Sequence, residues 1–315
     1  MLTYRCTNAC RHCLYRCSPR QPDEWISMEL AERVFHALRG EPALQSLHIA
    51  GGEPSLRMDL LVDVIQLGIQ MGLPIQYVET NASWCGDRER CREGMERLRD
   101  AGLPGILISV SMFHNEFVPF RSTRICVEVA LQVFGVSNVI LYLPHMYRLL
   151  SQMPDDGTHK LEEFIRWADL EGRRSVVPDL YQVIPSGRAV DALRDCYESR
   201  PAETYEGETC REELLSTTHF HIDHHGDLFT GMCAGIAPAG IDGYHPEITP
   251  ESHPVFWRLC HVGPWGLMKE ACAEHGFRVR ASGYVSRCDL CFDVRRSLHR
   301  TGQFPELRPA AFYSD

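Results

Sequence analysis

From residue 26 to about 185 short apolar runs alternate with longer segments of helical spacing. That alternation commits the chain to βαβ units and a parallel sheet. Ser27 stands where a helix cap belongs, ahead of Glu29, Ala31, Val34, Phe35 and Leu38. SLHIA (46–50), PIQYVE (74–79), GILISVS (105–111) and NVILYLP (138–144) read as strands, and 56–72, 86–102, 122–135 and 159–172 as helices. LTYR at the start and part of SVVPDLYQVIP (175–185) bring the expected strands to six. Six repeats suit an open barrel and fall short of the closed eight-stranded one. The expected fold class is therefore α/β, a partial (β/α)6 TIM-like barrel over residues 1–190. Chemistry in such sheets sits beyond the carboxyl ends of the strands. The cysteines after LTYR and the GGEP after SLHIA both fall there.

Beyond residue 186 the alternation stops. The stretch 186–213 is polar and reads as a connection. HFHIDHHGDLFT (219–230) reads as a hairpin turning near Gly226, its histidines His219, His221, His224 and His225 solvated. A Pro/Gly-rich stretch, 235–250, precedes helical patterns through FWRLC and GPWGLMKEACAEHG. These define a second domain over 205–300, built of a small β-hairpin plus helix, and a tail over 301–315 with no core-forming pattern.

Net charge is -10, which repels a long polyanion and argues against a nucleic-acid partner. No apolar run reaches the length needed to cross a bilayer, and no basic segment followed by an apolar one marks an export leader. The expected location is cytoplasmic, with no membrane partner. The chain has 14 cysteines. A reducing compartment disfavours a disulfide framework, so metal binding is the leading use of the clustered ones. Cys85, Cys91, Cys126, Cys196, Cys260 and Cys272 are scattered and expected to pack as small hydrophobes.

Cys6-x3-Cys10-x2-Cys13 offers three thiolates in one short loop. A structural zinc wants a fourth ligand, and His12 is too close to Cys13 in sequence to reach the same ion with good geometry. Three thiolates on a cubane iron–sulfur cluster instead leave one iron open. Cys17, four residues further on, reads as a structural thiol. A second set, Cys210, Cys233, Cys288 and Cys291, is spaced C-x22-C-x54-C-x2-C, the last pair expected in a loop. It could close either a zinc site or a cubane.

CTNACRHC resembles the CxxxCxxC signature of the radical SAM enzymes, and Gly51, Gly52, Glu53 and Pro54 resemble their second motif. The resemblance implies a 4Fe–4S cluster on Cys6, Cys10 and Cys13 whose open iron holds S-adenosylmethionine. It places GGEP at the methionine amine and His12 near the adenine. Asn81 resembles the polar strand end facing the cofactor, and Ser109 lies where relatives often show S-x-D, with Ser111 in the place of the Asp. Arg121 (or Arg124) could pair with the methionine carboxylate, and Ile184 of IPSGRA could approach the adenine. The second cysteine set resembles the twitch form of the SPASM domain, which implies one auxiliary 4Fe–4S cluster on Cys210, Cys233, Cys288 and Cys291.

The resemblance implies reductive cleavage of S-adenosylmethionine to a 5′-deoxyadenosyl radical, with an external one-electron donor of the flavodoxin or ferredoxin kind. A peptide substrate is expected, for cross-linking, oxidation or epimerisation. The alternatives are a radical dehydrogenase of a sugar- or aminocyclitol-like small molecule and a non-catalytic iron–sulfur scaffold. Because the chain opens directly on the cluster strand, a leader-binding module, if used, is expected to be a separate protein. Glu79, His114, Glu116, His145 and Tyr181 lie near strand ends, and surface placement is expected for each.

Overall fold

A computed structural model describes residues 1–216, 218–241 and 247–314. It divides into two compact units: Met1–Cys10, Cys17–Tyr181 and Asp223–His225 form the first, and Arg11–Arg16, Gln182–Ile222 and Gly226–Asp315 the second. The first cysteine loop thus contributes Cys6 and Cys10 to one unit and Cys13 to the other.

The first unit runs α1 (Met28–Arg39), β1 (Leu47–Ile49), α2 (Met58–Gln70), β2 (Ile75–Thr80), α3 (Arg88–Asp100), β3 (Gly105–Ser109), α4 (Met112–Asn115), α5 (Phe120–Phe134), β4 (Val139–Tyr142), α6 (Pro144–Leu150), α7 (Leu161–Trp167) and α8 (Val176–Leu180). The strands form one parallel sheet in the order β1-β2-β3-β4. Ser27 caps α1 by accepting from the Leu30 amide at 3.1 Å, and Ala31, Val34, Phe35 and Leu38 form its buried face. Asp87 caps α3 in the same way through the Arg90 amide at 3.0 Å.

The architecture is α/β with a parallel sheet, but the described residues hold four regular parallel strands where six were expected. LTYR forms no strand: it bends at Tyr4 and makes one isolated parallel bridge, Arg5 to Ser18, because its groups go to different partners. The Leu2 amide donates to Ala50 O at 2.8 Å, Leu2 O accepts from Ile26, and Arg5 O accepts from Glu53. The expected strand at 175–185 is the helix α8 instead. Pro178 explains the difference: it cannot donate to a sheet ladder, whereas the first turn of a helix needs no donor there.

The sheet has unequal faces. Ile49, Val78, Ile106 and Ile108 are buried on one. His48, Tyr77, Glu79, Ser109, Ile140 and Tyr142 alternate with them and keep partial or full exposure.

The second unit contains α9 (Ala189–Ala192), α10 (Arg211–Leu214), β5 (Phe220–Ile222), β6 (Asp227–Thr230), β7 (Ala239–Gly240), α11 (Pro254–His261), α12 (Gly263–Glu274), α13 (Arg287–His299) and α14 (Ala310–Tyr313). β5 and β6 are the expected antiparallel hairpin, extended by β7. Residues 242–246 of the Pro/Gly-rich stretch lie outside the described residues. The tail does join a core: Leu307, Phe312 and Tyr313 are buried with Phe256, Leu259 and Phe292. CxxC is no loop either, since Cys288 and Cys291 sit on one face of the first turns of α13. Ser286 caps that helix through the Asp289 amide at 3.0 Å, a capping pattern written in the sequence as S-R-C-D.

The turn after β1 is set by glycine. Gly52 has φ +43°, and a Cβ there would stand 1.8 Å from Arg5 O. Gly52→Ala is therefore expected to destabilise the chain by more than about 2 kcal/mol, from the clash together with left-handed strain. Urea unfolding with an unchanged midpoint would contradict that placement.

Candidate cofactor site

Glu53 is wholly buried and its carboxylate is saturated. Oε1 accepts from the Ser55 amide (3.2 Å), Ser55 Oγ (2.6 Å) and Thr80 Oγ1 (2.9 Å), and Oε2 accepts from the Asn81 amide (2.8 Å). Burial pushes the carboxyl pKa up, and the hydrogen bonds from Ser55, Asn81 and Thr80 work against that shift. The side chain thus locks the GGEP turn to the carboxyl end of β2.

Asn81 carries the connection onward. Its Nδ2 donates to Cys6 Sγ at 3.4 Å and to Thr7 Oγ1 at 2.9 Å, and Thr7 Oγ1 donates to Ser83 Oγ at 3.0 Å. Cys6 Sγ also accepts from the Asn8 amide at 3.4 Å. Two N–H donors thus converge on one buried sulfur, which acts as their acceptor. Asn8, 1% exposed inside the cysteine loop, has a buried Nδ2 with no hydrogen-bond partner. A donor stranded beside buried cysteines fits a sulfide- or cofactor-bearing centre. Cys10 is buried in the same unit and Cys17 is buried too. Within the first unit, Cys6 and Cys10 thus have surroundings that suit iron–sulfur ligands.

In the second unit Cys13 O accepts from the Arg188 amide at 3.0 Å, and a Cβ on Gly187 would meet Leu14 O at 2.3 Å. The SGR segment is thus fitted closely to Arg11–Arg16, with Ile184 39% exposed just before it.

Other expected residues have local partners of their own. Arg121 lines a surface pocket with Asp87, Arg88, Arg124 and Glu128, and Arg124 pairs with Asp155. Ser111 caps α4 and bonds His114 Nδ1 at 2.8 Å, so it serves the local backbone.

The surface expectation fails for several groups. Glu116 is buried and accepts from the Leu161 amide at 3.2 Å. Tyr181 is 4% exposed, its ring set edge-on to Phe113, His114 and Tyr142. Burial raises its phenol pKa well above the usual value, with Cys10 the next contributor. Burial lowers His114 to about 4. The turn residues Asp223 and His224 are likewise buried, contrary to a solvated hairpin. Asp223 accepts from Tyr4 Oη at 2.9 Å, and burial lowers His224 to about 3.

On the open sheet face His48 Nε2 lies 3.3 Å from Glu79 Oε1, and its ring stacks on Tyr77 at 5.1 Å. Glu79 keeps 36% side-chain exposure, yet burial pushes its pKa up to about 7. Glu79 is thus partly reached by water while neighbouring protein desolvates its carboxyl.

The second cysteine set converges within the second unit. Cys210 precedes α10, Cys233 follows β6, and Cys288 and Cys291 lie on α13. Burial raises Cys233 to about 12 and Cys288 to about 11, and neighbouring thiols of the set add to both shifts. Cys210 is raised for the same reasons. Arg287 stands near Cys210 and Cys288, and the buried Arg295 near Cys291 and Cys233. Four thiols with two guanidinium charges beside them fit an anionic metal centre ligated by cysteine alone. Asp289, wholly buried, accepts from Arg194 at 2.8 Å, Arg280 at 3.1 Å and the Val285 amide at 2.9 Å, which fixes the start of α13.

Residues 1–135 match the model of the radical SAM superfamily. The chain is 33% identical over 109 residues to the PqqA peptide cyclase of Rhizobium meliloti (strain 1021), covering 35% of this chain and 27% of that protein. The match thus spans about a quarter of the relative's length. Among solved structures, native anSMEcpe with bound AdoMet aligns at 13% identity over 80% of this chain and 78% of that one, TM-score 0.42. BtrN in complex with AdoMet and 2-DOIA aligns at 13% over 86% and 83%, TM-score 0.40. The match over residues 1–135 thus takes in both the CxxxCxxC loop and the GGEP turn, which Asn81 joins through its bonds to Glu53 and Cys6.

Glu53→Gln is expected to cost about 1–3 kcal/mol, because its amide nitrogen would oppose the Asn81 N–H and leave a buried donor unmet. Thermal unfolding of the isolated variant measures this. For Glu79 the folded pKa of about 7 lies above the unfolded 4.5, so the folded state holds the extra proton between them. That contribution is complete below pH 4.5 and lost as pH rises through 7. Glu79→Gln should therefore melt higher than the parent at about pH 8 and at the same temperature near the unfolded pKa.

Proposed function

We propose that this chain is a radical SAM enzyme that binds a 4Fe–4S cluster through Cys6, Cys10 and Cys13 and acts on a peptide. When bound, the cluster and S-adenosylmethionine supply a 5′-deoxyadenosyl radical able to remove hydrogen from an unactivated carbon. The observation that carries this reading is the chain of hydrogen bonds Glu53–Asn81–Cys6, which brings both motifs of the superfamily to the carboxyl end of one strand.

Each side chain has a task that its surroundings suit. Asn81 and the Asn8 amide steady the Cys6 sulfur as an anionic ligand. Glu53 is engaged on all sides and holds the GGEP backbone in place, leaving that backbone to meet the cofactor amine. The open sheet face, with His48, Tyr77 and Glu79, is where substrate would lie. Glu79, near neutrality, can take a proton there and His48 can hold it in position. Cys210, Cys233, Cys288 and Cys291 would hold an auxiliary 4Fe–4S cluster as an electron acceptor or relay.

The peptide assignment draws on the similarity of 109 residues to a protein named a peptide cyclase. An external one-electron donor and a separate leader-binding protein complete the proposed partners.

Anaerobic reconstitution followed by dithionite and S-adenosylmethionine should release 5′-deoxyadenosine, and Cys6→Ala should abolish it. Its absence from a protein with full iron content would sink the enzyme reading. About eight irons per chain are expected for two four-iron centres. Cys288→Ala with Cys291→Ala should remove half of them and spare cofactor cleavage. Mass spectrometry of candidate peptides carrying deuterium then tests the substrate class, since transfer of label to 5′-deoxyadenosine identifies the carbon attacked.

A further inference from the structure

Three cysteines outside both proposed metal sets meet inside the first unit. Cys85 stands in the loop after β2, Cys91 in the first turn of α3 and Cys126 within α5, and none is exposed at all. Their Sγ atoms all lie within 4.8 Å of one another, and Cys91 Sγ is 2.7 Å from Cys85 Sγ. Two thiolates sharing one tetrahedral zinc, each at about 2.3 Å, would stand about 3.8 Å apart. The Cys85–Cys91 pair is tighter than that. No fourth His, Cys, Asp or Glu joins this group among the described residues. A covalent sulfur–sulfur link is the nearer chemistry.

We propose that Cys85, Cys91 and Cys126 form a peroxide-responsive dithiol–disulfide site, in which Cys91 reacts first, Cys85 closes the link and Cys126 is the exchanging third thiol. The Cys91 sulfur attacks one oxygen of hydrogen peroxide, the O–O bond breaks, and a sulfenic acid forms while hydroxide leaves and takes up a proton as water. The Cys85 sulfur then displaces the hydroxyl, forming the S–S bond and a second water. Two thiols lose two electrons, and one peroxide is reduced to two waters.

Cys91 is suited to lead. Contacts with the Cys126 and Cys85 thiols, together with the charges of Arg88 and Arg92, outweigh its burial and lower its pKa, whereas burial raises Cys85 and Cys126. The nearest opening is a polar surface pocket of about 320 Å³ lined by Gly86, Asp87, Arg88, Arg121, Arg124, Ile125 and Glu128, and a local opening of the α3 and α5 contact would carry peroxide from it to the thiols. Gly86 and Ile125 are the immediate neighbours of Cys85 and Cys126. Disulfides of a reducing compartment are characteristically transient and redox-sensing.

The link has a short path to the cofactor loop. The Cys85 amide donates to Ala82 O at 3.1 Å, closing the turn 82–85; its member Ser83 bonds Thr7, and Asn81 just before it bonds Cys6. An oxidised Cys85 therefore tethers the loop that steadies Cys6. That consequence rests on the proposed function, whereas the link itself does not.

The test reads chemistry rather than turnover. Anaerobically reconstituted holoenzyme receives increments of hydrogen peroxide, is quenched with catalase, alkylated with N-ethylmaleimide under denaturing conditions and digested with trypsin. Arg88 and Arg90 separate the two cysteines, so a Cys85–Cys91 link appears as a two-chain peptide. Most chains should carry it, or its Cys126 exchange product, before the thiols of the cofactor loop are lost, and dithiothreitol should reverse it. Cys91→Ser should leave no link, and Cys126→Ser should keep Cys85–Cys91. Full alkylation of all three after the loop cysteines have oxidised would overturn the proposal. So would X-ray absorption showing a zinc or copper ion bound by these sulfurs.

Discussion

The buried carboxylate of Glu53 organises the first unit. Removing a charge from water is expensive unless every lone pair is met. Here four hydrogen bonds reach the carboxyl, three on Oε1 and one on Oε2, from Ser55 just after GGEP and from Thr80 and Asn81 at the carboxyl end of β2. The carboxylate therefore dictates where β1 and β2 end relative to each other. Asn81, the next residue along, inherits a fixed position from which its amide reaches the Cys6 sulfur. The N-terminal segment is held to the same turn by the bond from the Glu53 amide to Arg5 O. One desolvated charge thus aligns three segments distant in sequence.

Much of this is legible in the sequence, and the physical reasons are uneven. The helix at 28–39 and its Ser27 cap follow from apolar spacing and a side-chain acceptor, both local properties. The four parallel strands follow from short apolar runs between helices. The strand expected at 175–185 weighs Val176 and Val177 over Pro178, whose missing N–H matters more in a ladder than in a first helical turn. The capping pattern around Ser286 is present in the sequence and, given its due weight, turns the CxxC from a loop into a helix.

The site is legible as motifs and not as connections. Cysteine spacing and GGEP point to the radical SAM superfamily, which residues 1–135 match. That Asn81 bonds the Cys6 sulfur depends on the register of a parallel sheet, which no local pattern encodes. The burial of Tyr181 and Glu116 and the desolvation of Glu79 are tertiary properties of the same sort. The meeting of Cys85, Cys91 and Cys126 is hidden because α3 and α5 are separated by a strand in sequence, and each thiol alone reads as a small apolar residue.

The hub at Asp289 carries a consequence for assembly. Arg194, Arg280 and the Val285 amide converge on its carboxylate, adjacent in sequence to Cys288 and one helical turn before Asp293, which pairs with Arg280 as well. Half of the second cysteine set is thereby anchored through one network, Cys288 and Cys291 standing a helical turn apart on the segment it fixes. A change at Asp289 would therefore be felt by both of these thiols at once, through the one helix start that they share.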